Sequence, residues 1–206
     1  MRADAVLGAP VSGPLVVHTD GACHGNPGKG GWGAFWEGGS GPVEMLGGEP
    51  LTTNNRMELQ APLRALRAIA QVGFAGPLVI RTDSQYVIKG VHEWREGWEK
   101  RGFRTADKKP VKNAELWRAL FAVVDAHAAG VQFQWVKGHN GDPHNERADA
   151  LAQEGVALSK SAGGEVAELR YKGRVSRLPV LGIVEEAPIV NATHRPSSAG
   201  RSPKNG

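Results

Sequence analysis

Apolar and polar positions along the chain alternate with periods that separate strands from helices. Leu15, Val16 and Val17 open a short apolar run ending at Asp20 and predict a first strand over 14–20. Runs at 32–37 and 42–47, joined by Gly38-Gly39-Ser40-Gly41, predict two more strands and a hairpin, so the three form an antiparallel meander. Leu59, Leu63, Leu66 and Ala70 give the stripe of a buried helix face, starting near Asn54 or Asn55, both good caps. Pro62 breaks this helical rule and predicts a bend one turn past Glu58. Gly76-Pro77 is expected to stop the helix, and Leu78–Thr82 to form a fourth strand, entered by a crossover and so parallel to the first.

Ser84 predicts a cap for a short helix through Tyr86, Val87 and Ile88, and Asn113 a cap for a helix with Leu116, Leu120 and Val124 inward. Residues 131–136 alternate as a fifth strand. Asp142-Pro143 then carry a cap and a first-turn proline for a helix packed through Ala148, Leu151, Ala152 and Gly155. Beyond Lys160 the period fails; residues 163–184 allow a short hairpin, and 192–206 read as disordered. The expected organisation is an N-terminal arm over 1–13, an α/β domain over 14–160 and a largely flexible extension over 161–206. The sheet of that domain is expected to be five-stranded and mixed, with three antiparallel and two parallel strands, flanked by helices.

The chain has 206 residues, enough for one domain of about 150 residues and a tail. Its single cysteine, Cys23, excludes an internal disulfide and fits a reducing compartment. No apolar run suits a signal peptide or a membrane span, so a soluble cytoplasmic protein is expected. The net charge of +4 is concentrated: residues 95–112 hold seven Lys/Arg against three acids, and the rest of the chain balances. A basic patch on a neutral body points to a polyanionic partner.

Asp20 and Asp83 each follow an apolar strand, and Asp20 runs into the Gly/Asn/Pro-rich turn of Gly21–Gly31. Such a loop lets a phosphate backbone come close. Glu58 and Asp149 fall on helices expected to pack beside those strands. Taken singly, each acid also reads as an ordinary turn, cap or surface residue. Together they form a carboxylate set that repels itself unless hard cations such as Mg²⁺ or Mn²⁺ sit between its members.

Five stretches stand in order over residues 14–158: Thr19-Asp20-Gly21-Ala22-Cys23, Thr52-Thr53-Asn54-Asn55-Arg56-Met57-Glu58-Leu59, Thr82-Asp83-Ser84-Gln85-Tyr86, Thr105-Ala106-Asp107-Lys108-Lys109-Pro110-Val111-Lys112-Asn113 and Trp135-Val136-Lys137-Gly138-His139. With these motifs the chain resembles the type-one ribonuclease H family. The resemblance implies the ribonuclease H-like fold and an endonuclease that hydrolyses the RNA strand of RNA–DNA hybrids, leaving 5′-phosphate and 3′-hydroxyl ends. It implies that Asp20, Glu58, Asp83 and Asp149 hold two Mg²⁺ ions, with Mn²⁺ as a substitute, across the scissile phosphate. His139 is the matching histidine; its loop, with glycines on both sides, suits a proton shuttle or product release.

By the same resemblance Thr53 and Asn54 hold a DNA phosphate, while Asn26, Asn55 and Gln85 read RNA 2′-hydroxyls and bases. Leu51 departs from an arginine found in some members, which removes one phosphate contact, and Cys23 matches a residue lining the groove. Trp94, Trp98, Phe103 and the cations Lys100, Arg101, Arg104, Lys108, Lys109 and Lys112 look like the basic protrusion of longer bacterial members, the rings mostly for packing and the cations for the duplex. His18, His92, His127 and His144 are expected to be structural or surface residues. The expected partner is an RNA–DNA hybrid, met by a monomer without a membrane. Two alternatives remain at this point: a catalytically silent hybrid-binding module, and a DNA endonuclease or strand-transfer enzyme of the same fold.

Overall fold

The computed structural model describes residues 13–39, 41–171 and 174–177, with 171 and 174–177 described as backbone. Most of the N-terminal arm and the expected disorder of 192–206 lie outside these residues. The elements in order are β1 (Leu15–Gly25), β2 (Gly28–Gly38), β3 (Gly41–Thr52), α1 (Asn54–Gln71), β4 (Leu78–Thr82), α2 (Gln85–Lys89), a π-helical turn over Gly90–Trp94, α3 (Arg95–Lys100), α4 (Ala114–Ala126), β5 (Val131–Trp135), α5 (Pro143–Ala162), β6 (Val166–Tyr171) and β7 (Arg174–Arg177).

The sheet has seven strands among the described residues, in the order β5-β4-β1-β2-β3-β6-β7. The antiparallel meander β1–β2–β3 and the parallel strands β4 and β5 are those the sequence predicts. The sheet is wider than the expected five strands because the hairpin allowed in 163–184 exists as β6–β7, and β6 pairs along the free edge of β3. That pairing satisfies backbone groups which an open edge would leave to water or to another chain.

β2 is buried on both faces. Trp32, Ala34 and Trp36 join the large core on one side with Leu59, Leu63 and Leu66 of α1 and Leu116, Trp117 and Leu120 of α4. The opposite face is floored by glycine. A Cβ on Gly31 would stand 2.2 Å from the carbonyl oxygen of Ala152, and one on Gly33 2.3 Å from that of Ala148. Gly155 of α5 presses in the same way on the carbonyl of Gly47. α5 therefore lies backbone against backbone on the sheet, with only small clusters such as Ala22, Ala152 and Val156 beside it.

Several boundaries differ from the expected ones for local reasons. β1 continues five residues past Asp20 because β2 keeps pairing with it as far as Gly25–Gly28. α1 starts at Asn54 with Thr53 as its cap residue, and it runs on through the buried Pro62, as the apolar stripe on both sides of that proline predicts. It stops at Gln71, before Gly76-Pro77, where Gly73 takes a left-handed φ of 73° and its N–H donates to the carbonyl of Ala70. Ala70 is exposed, so the buried stripe ends with Ile69. Asn113 precedes α4 in a left-handed conformation without a capping bond from its side chain; its amide donates to Tyr86 Oη instead. Ser84 and Asp142 cap as expected, accepting from the N–H groups of Val87 and of His144 and Asn145.

The glycine floor yields a direct expectation. Gly33→Ala should cost about 1–3 kcal/mol through overpacking, a fall in melting temperature of about 2–4 °C per kcal/mol for a chain of this size. Gly164→Ala, at a glycine with open space around it, should leave the melting temperature unchanged. Thermal melts of the two variants check this, and equal melting temperatures would contradict the close contact.

Candidate active site

Parallel pairing of β1 with β4 ends at Thr19 and Thr82, so Asp20 and Asp83 are the next residues on two adjacent strands. Asp20 is thus inside β1 yet at the mouth of the parallel pair, where open α/β sheets hold ligands. Helices bring the other two acids from opposite faces. A Cβ on Gly21 would lie 2.3 Å from the backbone nitrogen of Glu58, so α1 rests directly on β1 beside Asp20. Asp149 follows Ala148, whose carbonyl meets Gly33, and Gly33 pairs with Asp20 across β1–β2.

The charges register this crowding. Burial, then Asp83, then Asp149 and Glu58 push the Asp20 carboxyl up to about 8, although its Oδ1 accepts the Gly21 N–H at 2.7 Å. Burial raises Glu58 as well, against hydrogen bonds from Ser84 Oγ to Oε2 at 2.6 Å and from Asn54 Nδ2 to Oε1 at 2.8 Å. Burial also raises Asp83, while His139 and the side chain of Asn145 favour its charged form. The loop at Gly138 is pressed against Asp83 Oδ2, where a Cβ would come within 2.2 Å. Trp135 Nε1 donates to the Asp83 carbonyl at 3.1 Å.

Among the described residues no three acid, histidine or cysteine side chains already stand as a closed metal site. The donor set nevertheless fits a hard divalent ion. It consists of carboxylate oxygens that oppose one another's charge, with the buried Asn145 Oδ1 left without a hydrogen-bond partner nearby. Asn145 and Ser84 escaped the sequence reading as site residues. Their signal was present only in their positions, four residues before Asp149 and one after Asp83.

The other expected residues divide into two groups. Asn26 Oδ1 accepts the Asn54 N–H at 3.4 Å, and Asn54 reaches Glu58, which Ser84 also holds. Thr53 and Asn55 are the chain neighbours of Asn54, and Gln85 that of Ser84. His139 is 80% exposed, in a left-handed conformation, with Nδ1 4.0 Å from Asp149 Oδ2. Leu51 is 74% exposed just before Thr52 and Thr53.

The basic group is elsewhere in the fold, after the rod formed by α2, the π-helical turn and α3. Trp94 is half-buried there, its ring 6.0 Å from Tyr86 and 5.4 Å from Trp98, and Trp98 continues the stack to Trp117. Lys100 pairs with Glu96. Arg101 and Arg104 donate to the carbonyls of Arg104 and Lys108 and so shape the loop. No ion pair is recorded for the exposed Lys108, Lys109 or Lys112 among the described residues. Of the remaining histidines, His18 is buried with its pKa pushed down to about 4, chiefly by that burial, and His92 and His127 bond the carbonyls of Phe133 and Gly76.

The model of the family described as RNase H matches residues 12–157, a span that includes all four acids and His139. The chain belongs to the ribonuclease H family. It is 56% identical over 144 residues to the ribonuclease H of Cupriavidus necator, covering 69% of this chain and 94% of that protein. It is 58% identical over 148 residues to the ribonuclease H of Bordetella avium, covering 72% and 94%. Among solved structures it is similar to LC9-RNase H1, a type 1 RNase H with the type 2 active-site motif, at 30% identity and a TM-score of 0.60 over 83% of this chain and 81% of that one. LC11-RNase H1 in complex with an RNA/DNA hybrid shares the fold at 22% identity and a TM-score of 0.55, over 71% and 99%. Membership in the ribonuclease H family carries dependence on a divalent metal ion.

The raised Asp20 carboxyl sets a pH expectation. Between the ordinary value near 4 and about 8 the folded chain keeps a proton that the unfolded chain has lost. Stability therefore falls as pH rises through that window. Asp20→Asn should raise the melting temperature in metal-free buffer at pH 9 and change it little near pH 4. Paired melts at the two pH values check this; an equal shift at both would contradict it.

Proposed function

We propose that the chain is an endonuclease that hydrolyses the RNA strand of RNA–DNA hybrids, leaving 5′-phosphate and 3′-hydroxyl ends. The observation that carries this reading is the placement of Asp20, Glu58, Asp83 and Asp149 against the line Asn26–Asn54–Glu58–Ser84. The first set suits phosphodiester chemistry, and Asn26 at the end of that line, with Asn55 and Gln85 next to Asn54 and Ser84 in the chain, suits recognition of a strand with 2′-hydroxyls.

In this reading the four carboxylates hold two Mg²⁺ ions, or Mn²⁺ in their place. When bound there, such ions would supply activation of a water and stabilisation of charge on the leaving oxygen. Ser84 and Asn54 aim the Glu58 carboxylate by donating to its two oxygens. Asn145 supports Asp83 from α5. His139, on its exposed loop, carries protons to and from the site beside Asp149. Asn26, Asn55 and Gln85 offer amides to the RNA strand, and Thr53 and Asn54 offer donors to a DNA phosphate. Lys100, Arg101, Lys108, Lys109 and Lys112 supply the positive field that holds the duplex, at the end of a rod stiffened by Trp94 and in the loop after it. The setting is a cytoplasmic monomer, which suits the free Cys23 thiol.

The test is cleavage of a labelled hybrid and of DNA duplex of the same sequence, with Mg²⁺ and with chelator. RNA-strand cleavage of the hybrid alone, only with the ion, is expected. Cleavage of plain duplex DNA would turn the reading toward a DNA endonuclease. His139→Ala should lower turnover by about 10²-fold and leave hybrid affinity close to normal. A collapse of affinity with normal turnover would make His139 a binding residue.

Lys108 and Lys109 give a separate expectation. Changing both to Ala should weaken hybrid and plain duplex binding alike and flatten the slope of log affinity against log salt by about 0.9 per lost phosphate contact. Fluorescence anisotropy at several salt concentrations, in an Asp20→Asn chain without metal, reads this slope. An unchanged slope would make the two lysines a solvated face.

A further inference from the structure

The segment from Glu165 to Arg170 lies beyond residues 12–157, the part that the family model matches. It does more than cover the edge of β3. Its side chains alternate about the sheet edge, as a strand requires. Ala167 and Leu169 enter the core shared with α1, and Glu165 points to the same helix, where its Oε1 accepts Arg64 Nη2 at 2.6 Å. Arg64 is only 7% exposed, and its Nε donates to Gln60 Oε1 at 2.9 Å. A guanidinium so buried depends on its carboxylate partner.

The other face of the strand holds α5. Arg170 pairs with Glu154, whose second oxygen accepts Arg147 Nη1 at 3.0 Å. Arg147 also forks onto both oxygens of Glu44 in β3, at 2.7 and 2.9 Å. Arg147 stands two residues before Asp149, and Arg64 six after Glu58. Asp20 and Asp83 are fixed to one another by the β1–β4 ladder. Glu58 and Asp149 sit on helices that lie on opposite faces of the sheet and share no such ladder.

We propose that residues 165–170 form a clasp that grips α1 through Glu165–Arg64 and α5 through Arg170–Glu154, and so holds Glu58 and Asp149 at the separation the glycine contacts allow. Glu165 and Arg170 are positioning residues of the site. The role rests on the reading that Glu58 and Asp149 hold metal.

The experiment compares full-length chain with Glu165→Gln, Arg170→Gln, Arg170→Lys and the double Gln variant. Mg²⁺ binding is measured by calorimetry without substrate, with Asp83→Asn as the control that removes the site. Hybrid cleavage at saturating Mg²⁺ then separates kcat from KM. The clasp predicts weaker Mg²⁺ binding in the double variant, on the order of tenfold, the low end for groups that orient metal ligands. It also predicts a lower kcat with little change in KM, and partial recovery of both in Arg170→Lys, which keeps a charge for Glu154. A double variant with a lower melting temperature but wild-type Mg²⁺ affinity and kcat would overturn the clasp and leave an edge cover. A wild-type isotherm that Asp83→Asn does not alter would overturn the metal reading, and the clasp's role with it. The single changes carry the same comparison if the double variant does not fold.

Discussion

Gly21 and Gly33 bracket Asp20 on the two faces of the sheet, and each is pressed onto a helix backbone. On one side Gly21 meets the nitrogen of Glu58; on the other Gly33 meets the carbonyl of Ala148, the residue before Asp149. A side chain at either position would stand inside the helix, so the helix, with its carboxylate, would have to move outward. Contact between bare backbones is what lets one acid on a strand come close to two acids carried on helices. The rest of the site depends on that spacing.

The same closeness sets the electrostatics. Burial and neighbouring carboxylates hold Asp20 protonated well above the ordinary range, and Glu58 and Asp83 are shifted in the same direction chiefly by burial. A chain built for stability alone would not assemble like charges in a buried cleft. The cost is tolerated because the large core around Trp32, Trp36 and Trp117 lies on the α1 side of the sheet, away from the glycine floor. The glycine floor under α5 carries Asp149, while α1 brings Glu58 from the side of the large core. The basic loop follows an aromatic stack that runs from Tyr86 through Trp94 and Trp98 into the core at Trp117.

Much of this was legible in the sequence where a local rule and the tertiary packing agree. The meander, the two parallel strands and the Asp142-Pro143 helix start follow from period and capping. The expected end of β1 at Asp20 failed because an end of apolar residues is not an end of pairing: β2 continues the ladder over glycines that carry no hydrophobic signal. Pro62 sits inside α1 because packing of the surrounding turns outweighs one missing hydrogen bond. The left-handed Asn113 bonds a tyrosine twenty-seven residues away, a partner no local pattern reveals. At the site the four acids were legible as a set of motifs, whereas Ser84 and Asn145 were not, since their roles exist only once β4, α1 and α5 meet. The sixth and seventh strands were visible only as a possible hairpin, because nothing local says which edge it joins.

The central claim is that packing through glycines brings Asp20, Glu58, Asp83 and Asp149 around one metal-binding position. Anomalous diffraction from crystals of the chain with Mn²⁺ and an uncleavable hybrid locates the ion directly. The account predicts manganese bound to Asp20 together with at least one of the two helix-borne acids, Glu58 or Asp149. Manganese found only at carboxylates outside this set, with the four acids empty, would contradict it.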